Sequence, residues 1–160
     1  MRDWLVAGGL LAGPEGLLLV QNRRRNGSLD WSTPGGVIDQ GETLLEGLTR
    51  EVHEETGLIV AGWEHLAYEV EVDFADRDMY LRVEAHIATS WSGALVVDDP
   101  DGIVIDAEFV SEARARAHID HAPQWVAEPL CSWLDGCPPA SVFRYSVRGH
   151  DPASMSVERR

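Results

Sequence analysis

The chain has 160 residues, enough for one domain and too few for two well-packed ones. It is 44% hydrophobic and 25% charged, the balance of a folded globular protein, and its 13 basic and 27 acidic residues leave a net charge of −14. So acidic a chain is not built to track a nucleic acid polymer by charge, and an anionic substrate would need a cation such as a metal ion to meet it. Every basic residue is Arg, and the absence of Lys excludes Schiff-base, P-loop-lysine and Ser–Lys chemistry. Cys131 and Cys137 make no CxxC and no zinc pattern, so a reducing, cytoplasmic compartment is expected. The apolar stretch Leu5–Leu11 is short and follows Arg2 and Asp3, unlike a signal peptide. No run reaches the roughly 18 apolar residues of a membrane span, so no membrane partner is expected.

In chain order, Trp4–Ala12 and Gly16–Val20 read as two strands joined by the turn Gly13-Pro14-Glu15-Gly16. Asn22–Asp30 reads as a polar, basic loop, and Trp31–Gly36 as a short segment ending in the sharp turn Pro34-Gly35-Gly36. A helix follows. Thr43 and Glu46 form a capping box, Leu44, Leu48 and Val52 an apolar face, and Gly57 a stop. Trp63–Asp73 and Met79–Trp91 read as strands, the second alternating Leu81, Val83, Ala85 and Ile87 against Arg82, Glu84 and His86. An acidic loop, Asp98–Gly102, precedes a short strand at Ala107–Val110 and helices at Ser111–Ala117 and Ala122–Leu134. The break Gly136-Cys137-Pro138-Pro139 sets the expected boundary, with a domain over 1–136 and a C-terminal tail over 137–160. Within the tail, Phe143, Tyr145 and Val147 alternate, predicting one extra strand at 141–148. Its destination would be an exposed sheet edge of its own domain or of a second subunit in a homodimer, with disorder as the alternative. The last dozen residues, polar and containing Pro152, read as a frayed end. This order of elements predicts an α/β (α+β) domain with a mixed β-sheet between helices.

The chemistry lies in Gly36–Leu58, GVIDQGETLLEGLTREVHEETGL. Glu51, Glu54 and Glu55 stand three and four residues apart, which predicts three carboxylates on one side of the helix, roughly opposite the Leu44–Leu48–Val52 face. Such crowding costs stability unless a cation sits among them, and hard oxygen ligands suit Mg²⁺ or Mn²⁺. Arg50 is four residues from both Glu46 and Glu54 and can pair with either. An acidic stripe by itself is ordinarily only a solvated face; the wider spacing makes this one specific.

Gly36, Glu42, Arg50, Glu51, Val52, Glu54, Glu55, Gly57 and Leu58 match the Nudix box position for position, and the chain resembles that family loosely over residues 3–136. The resemblance implies an α/β/α sandwich and hydrolysis of the pyrophosphate link in a nucleoside diphosphate joined to a group X. It implies that Glu54 and Glu55 are metal ligands, and that Glu51 is a further ligand or orients water. The resemblance also offers the carbonyl of Gly35 as an additional ligand. Arg50 would orient the acidic cluster and Glu42 brace the loop, with Gly36 and Gly57 structural. The implied cofactor is Mg²⁺ or Mn²⁺, and the implied partner a small nucleotide.

Around the box, Arg23, Arg24 and Arg25 are placed for phosphate contacts or a solvated loop, and Trp31 for a base pocket or the core. Asp99 and Asp101 could add a carboxylate from outside the box. Phe74, Ala75 and Asp76 occupy the stretch where the family's ADP-ribose and dinucleoside polyphosphate branches carry Pro or Tyr, which disfavours both. The expected activity is therefore hydrolysis of a (deoxy)nucleoside triphosphate to monophosphate and pyrophosphate. The alternatives are an ADP-ribose or nucleotide-sugar pyrophosphatase and, in another class, a non-catalytic nucleotide-binding regulatory module; the intact box argues against the last.

Overall fold

The computed structural model describes residues 2–151 and 153–160, so Pro152 of the tail lies outside the described residues. Among the described residues, ten strands and three α-helices follow in chain order: β1 (Arg2–Leu10), β2 (Ala12–Gly13), β3 (Gly16–Arg23), β4 (Leu29–Ser32), β5 (Gly35–Val37), α1 (Leu44–Thr56), β6 (Ile59–Phe74), β7 (Met79–Ser92), β8 (Val104–Val110), α2 (Glu112–Ile119), α3 (Gln124–Leu134), β9 (Ser141–Arg148) and β10 (Ser156–Arg159). Six strands form a mixed sheet in the order β10-β9-β6-β7-β1-β5, with β1–β7 and β6–β9 parallel and the other pairs antiparallel. In a second, smaller sheet β3 pairs with β2, β4 and β8.

The apolar runs of β1 and β3 do not alternate, because both faces of these strands are covered. Leu17 and Leu19 enter a core shared with β6, β9, α2 and α3, while Leu18 and Val20 enter a second core with Leu48 and Val52 of α1. Likewise Leu10 faces the first core, and Ala7 and Leu11 the second. Strands between two helical layers give the α/β/α sandwich. Away from α1 the sheet face turns polar and carries ion pairs: Arg82 to Glu69 at 2.6 Å and Arg144 to Glu71 at 2.8 Å.

Several elements differ from the sequence reading: Gly35 and Gly36 of the expected sharp turn pair with β1 as part of β5, and β8 begins at Val104 rather than Ala107 because it pairs along β3 as far as Asn22. The polar loop is shorter, because Asn22 and Arg23 stay in β3, opposite Asp30 and Leu29 of β4. A buried Asn is tolerated there because its amide donates to Asp30 (2.9 Å) and Ser32 (3.0 Å). Strand β6 begins at Ile59 rather than Trp63, bending through register shifts between Val60 and Tyr68 that let one strand leave α1 and cross the sheet. The expected frayed end contains β10, held by Val157 opposite Val147 and by packing of Met155 and Val157 on the core.

Strand β9 lies between β10 and β6, with Phe143, Tyr145 and Val147 buried. Ending the chain at Cys137 would strip all three from the core. At about 2–5 kcal/mol per large buried side chain, the truncated chain is expected to melt at least about 10 °C below the full chain. Circular dichroism melts of the two chains check this.

Candidate active site

The site forms where β5 passes between β1 and α1. Gly35 has φ +154°, and a Cβ there would sit 2.0 Å from the carbonyl oxygen of Ala7, so only glycine allows β5 to pair with β1. At Gly36 a Cβ would come within 2.7 Å of the Glu51 carboxyl carbon. The two glycines thus bring bare backbone against the acidic side of the helix. The amide of Gly35 donates to Glu55 Oε1 at 2.7 Å.

Helix α1 starts at Thr43, whose hydroxyl accepts from the Glu46 amide (3.2 Å), and ends at Gly57 in the left-handed conformation, φ 82°. Its carboxylates are not opposite the apolar face. Glu55 is seven residues after Leu48, about two full turns, so the two share a face. Glu55 is accordingly buried beside Leu48 and Val52, and Glu51 borders the same face with a side chain only 14% exposed. Glu54 lies farther round the helix and is more open.

Burial is the main reason the Glu55 carboxyl is pushed up from an ordinary 4.5 to about 8; the Gly35 amide opposes the shift, and Glu51, Asp99 and Glu54 add to it. Burial also raises Glu51, reinforced by Glu54 and Asp101 and opposed by Arg50. Among the described residues, Arg50 is the one cation that ion-pairs with this group. Its guanidinium reaches Glu42 at 2.7 Å, Glu51 at 3.0 Å, Glu54 at 3.2 Å and Asp39 at 3.3 Å. The hydrogen bond from Arg50 is the main cause holding Glu42 below its usual range, and Glu42 also accepts from the Asp39 amide (2.7 Å), closing the turn before α1. Glu46, the other expected partner of Arg50, instead contributes its amide to the cap.

Three cavities meet here. The middle one, about 430 Å³, is lined by Glu51, Glu55, Asp99 and Asp101 together with Asn22 and Arg24. Asp99 is committed to its own loop, accepting from the amides of Asp101, Ile103 and Val104. On one side, sharing Ser32, Gly35 and Gly36, lies an apolar cavity of about 230 Å³ under Tyr68, Val70, Leu81, Val83, Trp125 and Val126. On the other, sharing Arg24, Asp101 and Ile103, a cleft of about 520 Å³ carries Arg23 and Arg25. Arg24 is paired with Asp30 at 2.7 Å, whereas Arg23 and Arg25 have no ion-pair partner among the described residues. Trp31 lines none of the three; its ring stacks on His118, centroids 4.3 Å apart, and packs on the core. Sequence reasoning missed Asn22, which sits in what looks like a loop, and Tyr68 and Trp125, which resemble any other core aromatic.

Among the described residues, no group of three His, Cys, Asp or Glu side chains is placed to hold a metal ion as the side chains stand. The hydrogen bonds account for this: Glu55 is held by Gly35, and Glu51 and Glu54 share Nη1 of Arg50. The donor set nevertheless fits a hard divalent cation. It offers only oxygen ligands, and the crowding that raises Glu51 and Glu55 is relieved by positive charge among them.

The sequence model of the NUDIX domain matches residues 3–130. The chain is 38% identical to human 8-oxo-dGDP phosphatase NUDT18 over 55 residues, which are 34% of this chain and 17% of that protein. It is 40% identical over 68 residues to the RNA pyrophosphohydrolase of Francisella tularensis subsp. mediasiatica, 40% of this chain and 39% of the other. These matches span well under half the length of those relatives. The fold superimposes on the crystal structure of a MutT protein from Bacillus halodurans with a TM-score of 0.66 and 20% identity, covering 97% of each chain.

A buried carboxyl that is protonated when folded and ionised when unfolded contributes stability below about pH 4.5, and that contribution is lost as pH rises toward 8. The metal-free chain is therefore expected to lose stability across this window, and Glu55→Gln to flatten the slope. Denaturant titrations in chelator at several pH values check it.

Proposed function

Because the chain belongs to the Nudix family, matched over residues 3–130, we propose that it is a divalent-metal-dependent pyrophosphohydrolase of small nucleotides. The substrate we favour is a nucleoside triphosphate, cleaved to monophosphate and pyrophosphate. The observation that carries this reading is the order of the cavities, with an apolar pocket, then carboxylates, then arginines along one continuous surface. A nucleoside triphosphate has the same order: a flat apolar base, a charged phosphate link to be cleaved, and a further anionic end.

In this reading Glu51, Glu54 and Glu55, with the carbonyl of Gly35, would hold Mg²⁺ or Mn²⁺. Such an ion, when bound, neutralises charge on phosphoryl oxygens and acidifies water. Arg50 acts on the carboxylates themselves: tied to Glu42, it fixes the orientation of Glu51 and Glu54. Gly36 leaves the Glu51 carboxylate open to the cleft, because any side chain there would collide with it. Arg23 and Arg25, free of ion pairs among the described residues, supply positive charge toward the far phosphates. The base would enter the apolar cavity against Tyr68 and Trp125. The net charge of −14 favours a small, metal-chelated substrate over a long polyanion.

A panel of nucleoside triphosphates, nucleotide sugars and dinucleoside polyphosphates, assayed for product with Mg²⁺, tests the proposal. The triphosphates are expected to be turned over fastest, with pyrophosphate as co-product; turnover of none of the panel would reject the reading. In the same assay Glu54→Gln and Glu55→Gln are each expected to lower kcat by about 10²-fold or more while keeping the wild-type circular dichroism spectrum. Either variant with wild-type turnover at millimolar Mg²⁺ would remove that residue from the site.

A further inference from the structure

Helix α3 walls the apolar cavity with Trp125 and Val126; the Pro123 carbonyl closes its first turn, accepting from the amides of Val126 (2.9 Å) and Ala127 (3.0 Å), but the next turn lacks one backbone bond. Its N-cap is Pro123, which offers no side-chain hydrogen bond, and Pro129 stands inside the helix. A proline at 129 has no N–H to donate to the carbonyl four residues back, which is that of Trp125. That missing bond gives side-chain contacts a larger share in holding the turn that presents Trp125.

The surroundings of Glu128 supply such contacts. This carboxylate is one turn after Trp125 on the same side of α3. Its Oε1 accepts from the Tyr145 hydroxyl at 3.1 Å and pairs with Arg159 Nη1 at 2.7 Å; its Oε2 accepts from Gln124 at 3.0 Å. Tyr145 belongs to β9 and Arg159 to β10, and both strands lie beyond the segment matched by the family model. Tyr145 is fully buried, and Arg159 also lies over the Phe143 ring, 5.2 Å from its centroid. Phe143 in turn meets Tyr68 edge-on at 6.2 Å, and Tyr68 is another wall of the cavity. The Trp125 ring is braced edge-on by Phe74, whose register partner on β9 is Val147.

We propose that the β9–β10 pair sets the nucleobase pocket: Tyr145 and Arg159 are positioning residues that hold Glu128, and through it the turn of α3 that carries Trp125. The proposal rests on the reading of the apolar cavity as the base site. It makes the C-terminal strands a determinant of base affinity while leaving the carboxylate cleft, at the other side of β5, untouched.

The test uses the full chain and the variants Tyr145→Phe, Arg159→Gln and Glu128→Gln. Calorimetry with AMP, GMP, CMP and UMP first identifies the monophosphate that binds the wild type most tightly. Each variant is expected to bind it about five- to tenfold more weakly, the effect of losing one charge-assisted hydrogen bond in the wall. Affinity for Mn²⁺ is expected to be unchanged. In kinetics, KM for the corresponding triphosphate rises by a similar factor with kcat within about twofold. Hydrolysis of methyl triphosphate, which has no base, stays at the wild-type level. Wild-type affinity for the monophosphate in all three variants would overturn the proposal, as would equal losses for monophosphate and Mn²⁺, the mark of general loosening. If Tyr145→Phe fails to fold, Arg159→Gln, on the outermost strand, decides alone. Failure of the wild type itself to bind any of the four monophosphates would overturn the base-site reading instead, independently of the variants.

Discussion

The close approach of β5 to β1 on one side and to α1 on the other is the constraint on which the site depends. At Gly35 the gap to the Ala7 carbonyl leaves no room for a Cβ, and at Gly36 the gap to Glu51 leaves none either. Sheet pairing therefore brings a backbone amide within 2.7 Å of a carboxylate that lies in the core face of a helix. Without that amide, Glu55 would be a buried acid with no donor, at a cost of about 1–3 kcal/mol or more. With it, the carboxyl is tolerated but still strongly shifted, because burial outweighs one hydrogen bond.

The second consequence concerns charge. Five carboxylates, Asp39, Glu51, Glu55, Asp99 and Asp101, face one cavity in a chain of net charge −14, and Arg50 joins Glu51 and Glu54 to Asp39 and Glu42. An arginine suits this place because its planar fork can serve several carboxylates at once from a fixed geometry. It does not neutralise the group, since Glu55 is out of its reach among the ion pairs formed. The residual negative charge lies against the backbone of Gly35 and Gly36, where a cation would find oxygen donors and no obstructing side chain.

The box was legible in the sequence because its residues are contiguous and their spacing is fixed by one loop and one helix. The layered fold was legible too: caps, turns and apolar runs are local signals, and Thr43, Gly57 and the Leu17–Val20 run act where local reasoning puts them. What escaped depended on distant parts of the chain. The spacing of the acids predicts them opposite the leucines, but Glu55 shares the face of Leu48, where an amide from β5 makes its burial acceptable. Asn22 looks like a loop residue until Asp30 and Ser32 are set beside it in β4. Trp31 was one candidate for a base pocket, yet α2 captures it through His118. Trp125, in a helix of unremarkable pattern, lines the apolar cavity because β6 and β7 lie beneath it.

The same sheet therefore carries the two halves of the site by different means. On the side of α1, the geometry is set by glycine backbone and one arginine, all within about twenty residues of sequence, and the described residues lining the acidic cleft include none from β9 or β10. On the side of α3, the cavity is roofed by a helix with two prolines at its start and middle, whose anchoring carboxylate reaches the last strands of the chain. The first half is constrained by sterics that no substitution relieves without moving a strand. The second is constrained by side-chain hydrogen bonds across a terminal edge, where changes in β9 or β10 can alter the cavity while leaving the acidic cleft in place. A fold so divided can keep its chemistry fixed while the shape of its apolar pocket varies.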